Sequence, residues 1–127
     1  MDFLDFDSSA RQGDVLIERV DAMPEGLVAI KKDAARDGFV LAEGEVTGHA
    51  HALCGDAIET YAKPQAKEPN TMDVSYFMLR ADEKQRGEAL AYLKHEEHQG
   101  HVFKDPGVYK VTRQREYTAQ GLRNVAD

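Results

Sequence analysis

Between Gly13 and Thr118 the chain is interrupted by turn signals so often that it has no room for a long helix. Met23-Pro24-Glu25-Gly26, Asp37-Gly38, Glu43-Gly44, Cys54-Gly55-Asp56 and Asp105-Pro106-Gly107 each place Pro, Gly or Asp where a chain reverses. Pro fixes φ, Gly permits positive φ, and Asp-Gly favours a hairpin. Between these points lie runs rich in β-branched, aromatic and other apolar residues, over 14–20, 27–31, 39–41, 45–53, 57–62, 74–80, 88–95 and 108–118. Residues 88–95 would also tolerate a helix, but the segment is short for one and a strand is favoured. A loop with two prolines covers 63–71. About eight short strands spaced in this way predict an all-β domain, a small barrel or sandwich, and not a parallel α/β sheet.

The chain has 127 residues, which suits one domain able to bury its own core. The expected organisation is an N-terminal arm over 1–12, a β domain over 13–118 and a polar C-terminal tail over 119–127. Phe3, Leu4 and Phe6 would anchor the arm on a neighbouring surface, the other reading being a loosely ordered terminus. A single cysteine, Cys54, rules out an internal disulfide. The acidic N-terminus does not read as a signal peptide. No apolar stretch approaches the roughly 20 residues of a membrane span. The expected location is the cytoplasm, or a virion assembled there. A formal net charge of −7 with scattered Lys and Arg argues against nucleic acid as a partner.

All five histidines fall in two short clusters. His49 and His51 alternate in Gly48-His49-Ala50-His51, so a strand presents both imidazoles on one face, with Thr47 and Leu53. Parity turns Cys54 to the other face. The second cluster is His95-Glu96-Glu97-His98-Gln99-Gly100-His101. His95 continues the face of Ala89, Ala91 and Leu93, and a bend after Glu96 would bring His98 inward beside it. His101 follows a glycine and reads as surface. If the clusters converge, His49, His51, His95 and His98 form a metal site, with Glu97 or Glu96 completing the shell or supporting it. Nitrogen and oxygen donors of this kind suit Zn, Fe, Mn or Ni. If they do not converge, the histidines have packing or hydrogen-bonding roles, or form a pH-sensitive patch with nearby acids.

Other chemistry is sparse. The chain has three serines, none in a nucleophile elbow, and no glycine-rich phosphate loop. Cys54 lies near His51 in sequence without an evident third member of a relay. Arg113, Arg115, Glu116 and Tyr117 read as an outer strand face carrying a charge network. The balance leans away from an enzyme.

Residues Gly44-Glu45-Val46-Thr47-Gly48-His49-Ala50-His51, followed by Pro106-Gly107-Val108-Tyr109, resemble the metal-binding half of a cupin. Cupins carry Gly, a short spacer, His-x-His, a later Glu, then Pro-x-Gly and a last His. Here the Glu position would fall to Asp56 or Glu59. The last His is replaced by Tyr109 and Lys110, so His95 or His98 would substitute. The resemblance implies a cupin-like or jelly-roll-like β domain with a His-based divalent-metal site.

Most of residues 12–118 also resemble a group of small uncharacterised bacterial and phage proteins. The shared stretches are Gln12-Gly13-Asp14-Val15-Leu16, the Gly44 to His51 segment, His95-Glu96-Glu97-His98, Gly107-Val108-Tyr109 and Arg113-Gln114-Arg115-Glu116-Tyr117. His101 lies outside that pattern. Two functions remain open: a metal-binding β module, or a structural phage subunit such as a capsid-decorating or minor head or tail protein. Either reading expects a homo-oligomer or a larger protein assembly.

Overall fold

The computed structural model describes residues 3–30, 38–43, 50–63, 74–81, 87–96, 98–113, 115–118 and 121–124. His49 and Glu97 lie outside the described residues, as do 34–37 and 64–71 of two predicted turns and 45–49 of the fourth predicted run. The strands are β1 (Leu4–Asp5), β2 (Ser9–Gln12), β3 (Val15–Val20), β4 (Val28–Ile30), β5 (Phe39–Glu43), β6 (Ala50–Cys54) and β7 (Ile58–Ala62). They continue as β8 (Tyr76–Leu79), β9 (Ala91–Lys94), β10 (His101–Phe103), β11 (Gly107–Arg113), β12 (Arg115–Thr118) and β13 (Gly121–Asn124).

Two sheets carry the fold. One has the order β1-β10-β9-β6-β5 and the other β2-β3-β11-β8-β7-β4, with β12 and β13 forming a separate hairpin. The sheets are open, so the architecture is a sandwich and the barrel alternative is set aside. Each of the eight predicted runs contains a strand. The additional strands are β1 and β2 in the predicted arm, β10 just before the Asp105-Pro106-Gly107 turn, β12 split from the last run, and β13 in the predicted tail.

Alternation explains the packing. Along β3, β7, β8 and β11 the residues facing inward are Val15, Ile17, Ile58, Phe77, Leu79, Tyr109 and Val111. The facing sheet contributes Leu41, Leu53, Ala91, Leu93 and Phe103 to the same buried cluster. Aromatic rings join the layers. Phe77 and Tyr109, cross-strand partners, stack at 4.9 Å, and Phe103 of the other sheet meets both edge-on at 5.7 and 5.4 Å.

The N-terminal segment lies on its own domain. The Leu4 amide donates to the Gly100 carbonyl at 2.9 Å and the Phe6 amide to the Val102 carbonyl at 2.9 Å. Phe6 stacks on Phe103 at 4.7 Å, and Phe3 meets Tyr92 edge-on at 5.3 Å. Gly100 makes this approach possible, since a Cβ there would collide with the Phe3 ring. Among the described residues, no helix is long and apolar enough to cross a membrane.

Candidate functional site

The β2–β3 hairpin creates the base of the site. Its strands pair from Ser9↔Glu18 to Gln12↔Val15, leaving Gly13 and Asp14 as a two-residue turn. Gly13 takes φ 59, the left-handed geometry that such a turn favours. The tight reversal holds Gln12 and Asp14 two positions apart, and both are buried, at 1% and 0% exposure.

A carboxylate sealed from water needs a partner, and Arg113 at the end of β11 supplies one. Arg113 lies opposite Val15 in the register. Its Nε and one terminal nitrogen donate to Asp14 Oδ2 at 2.9 and 2.6 Å. Arg113 was expected on an outer face. It follows the parity of Tyr109 and Val111 instead, which turns it toward the sandwich interior.

His51 meets this pair from the opposite sheet. It is buried on the inner face of β6 with Leu53, as strand parity predicts, and Cys54 lies on the other face, half-buried. Its Nδ1 lies 2.8 Å from Gln12 Oε1. The Gln12 amide nitrogen donates to the Gln99 carbonyl at 2.9 Å and to the Leu93 carbonyl at 3.4 Å. Those two carbonyls fix which end of the amide is nitrogen, so Oε1 accepts and His51 Nδ1 carries the proton. In a neutral ring, Nε2 then carries no proton and can only accept. That Nε2 stands 3.2 Å from Asp14 Oδ1, a buried oxygen with no hydrogen-bond partner among the described residues. Two acceptors face each other, so a cation or a proton is needed between them.

The second histidine cluster joins the first. His95 follows β9 and is buried, while His98 follows a bend at Glu96 and is half-buried. Ring centroids are 4.5 Å apart for His51 and His95, 4.6 Å for His95 and His98, and 6.3 Å for His51 and His98. His98 Nε2 is buried and has no hydrogen-bond partner among the described residues. The convergence therefore holds for His51, His95 and His98. Glu96 has a supporting position: its Oε2 accepts the Ala50 amide at 3.0 Å and pins the start of β6.

Among the described residues, no three His, Cys, Asp or Glu side chains already stand in a geometry that could hold a metal ion. The rings are neighbours, but their nitrogens do not yet point at one centre. His101 departs from its expected surface position. It is buried in β10, between β1 and β9, and its Nε2 donates to the Arg11 carbonyl at 3.2 Å, linking the two sheets.

Gln12, Asp14 and Arg113 were not among the predicted site residues. The available signals were their place in the shared Gln12-Gly13-Asp14 and Arg113-to-Tyr117 stretches and the inward parity of a charged residue on β11. No curated protein and no solved structure matches the chain. A family model, described as Domain of unknown function (DUF8820), matches residues 11–114, a span that begins just before Gln12 and ends just after Arg113. The chain belongs to that family.

Proposed function

We propose that this chain is a metal-binding β-sandwich module, with His51, His95, His98 and Asp14 as the donor set for one divalent transition ion. The observation that carries the reading is the 3.2 Å gap between His51 Nε2 and Asp14 Oδ1. Gln12 commits the other nitrogen of His51 as a donor, as second-sphere partners of metal-bound histidines do. Donors bonded to one ion at about 2.0–2.2 Å stand roughly 3 Å apart, as these two atoms do. An ion there would satisfy Asp14 Oδ1.

Closing the shell requires His95 and His98 to turn their nitrogens toward that gap. His49, two residues ahead of His51 in sequence, is a further candidate donor, and Glu96 and Glu97 are candidates for the outer sphere. Histidines from one strand and from another strand's end, meeting inside a sandwich, fit the arrangement that the cupin resemblance implies. Three nitrogens and one oxygen suit Zn, Fe, Mn or Ni. The role proposed is binding.

The test is elemental analysis of freshly purified protein, followed by titration of chelator-treated protein with Zn²⁺ and Co²⁺. One ion per chain, lost in His51→Ala and Asp14→Asn and retained in His101→Ala, supports the reading. Absence of saturable binding, or binding indifferent to His51 and Asp14, overturns it.

A further inference from the structure

A second site lies on the β-sheet that carries Arg113. The ends of β7, β8 and β11 enclose a surface cavity of about 330 Å³, lined by Lys63, Ser75, Tyr76, Lys110, Thr112 and Arg113 over a floor of Val74 and Val111. Lys110 stands opposite Tyr76 in the β8–β11 register, on the outer face of the sheet. The amide of Val111 donates to the Ser75 carbonyl at 2.8 Å and closes the floor.

The charge of this cavity runs against the rest of the chain. Acidic residues outnumber basic ones by 23 to 16, yet the cavity is lined by three cations and, among the described residues, by no Asp or Glu. Arg113 shares its charge with Asp14 behind the wall. Neither Lys63 nor Lys110 has an ion-pair partner among the described residues, unlike Lys104, which pairs with Asp5. Positive charges are gathered around a concave space beside Tyr76 and Thr112, which share the outward face of Lys110. Electrostatic focusing in such a cleft favours an anion, and charge-assisted hydrogen bonds from Lys would hold it. The volume lies at the small end of ligand pockets.

We infer that this cavity binds a small anionic ligand through its phosphate or carboxylate group, with Lys63 and Lys110 as the charged contacts and the Tyr76 and Thr112 hydroxyls as orienting donors. The inference stands apart from the metal reading: the cavity uses neither histidine cluster and shares with that site only Arg113, the partner of Asp14.

The experiment titrates isotope-labelled, chelator-treated protein with inorganic phosphate, with acetate, and with chloride at matched ionic strength, following backbone amides by NMR. The expected result is saturable shifts at Ser75, Tyr76, Lys110 and Thr112 with phosphate or acetate and not with chloride. Phosphate alone assigns phosphate esters, and acetate alone assigns carboxylates. In Lys63→Gln/Lys110→Gln the apparent affinity falls about tenfold or more. If that double variant loses its dispersed spectrum, Lys110→Gln alone is measured and must weaken binding. Equal shifts with chloride, shifts centred on His51 and His98, or unchanged affinity in the lysine variant would overturn the inference.

Discussion

Gln12 Oε1 and His51 Nδ1 lie 2.8 Å apart across the two sheets, and this contact sets the tautomer of a buried imidazole. Gln12 is itself held by the carbonyls of Leu93 and Gln99. Replacing it with Leu leaves a buried N–H without an acceptor, at a cost of about 1–3 kcal/mol. Metal affinity should fall about 10–100-fold, the usual loss for an outer-sphere partner. Urea unfolding and competitive Zn²⁺ titration of Gln12→Leu measure the two effects separately.

Arg113 neutralises Asp14, and its removal should have opposite effects on stability and on cation affinity. Arg113→Gln strips the partner from a fully buried carboxylate and should destabilise the metal-free protein by about 3–5 kcal/mol. The same change makes Asp14 a stronger cation ligand. Added Zn²⁺ should therefore raise the thermal midpoint of Arg113→Gln more than that of the native chain, since a ligand that binds only the folded state stabilises in proportion to its affinity. An equal or smaller rise would separate Asp14 from the proposed shell.

Tyr109 predicts an alkaline weakness. Its ring is buried and its hydroxyl donates to the Asp105 carbonyl at 2.6 Å. Burial pushes its pKa up to about 12, opposed by Arg19 and assisted by Asp105. The folded value lies above the unfolded one, so this contribution is intact below pH ~10 and is lost as pH rises toward ~12. The loss should be on the order of 2 kcal/mol. In Tyr109→Phe, denaturant midpoints should fall less steeply across that window.

Gly100 predicts how the N-terminal strand is held. In Gly100→Ala the new methyl group meets the Phe3 ring and approaches the Leu93 carbonyl. The ring must move away, so the expected damage is local. Amide exchange at Leu4 and Phe6 should quicken markedly, while exchange at Phe77 and Tyr109 changes little. Uniform acceleration would show that β1 is cooperative with the core.

Much of the fold was legible because turn chemistry and alternation are local properties. They gave the all-β class, the inward face of His51 and Leu53, and the bend that brings His98 beside His95. The segment before Gly13 was harder to read, because Leu4 and Asp5 form a strand only through pairing with His101 and Val102 far along the chain. The site was half legible. Histidines announce themselves by type, but Gln12 and Asp14 look like ordinary hairpin residues until a partner from another strand buries them. Arg113 was readable as inward by its parity with Tyr109 and Val111. Its charge suggested solvent, and its partner lies 99 positions away.

His51 and His95 come from one layer of the sandwich, while Asp14 comes from the β2–β3 turn of the other. An ion seated among them would act as a rivet through both layers. Sliding one sheet over the other by a single residue would pull its donors apart, so retention of the ion would report whether the layers remain aligned.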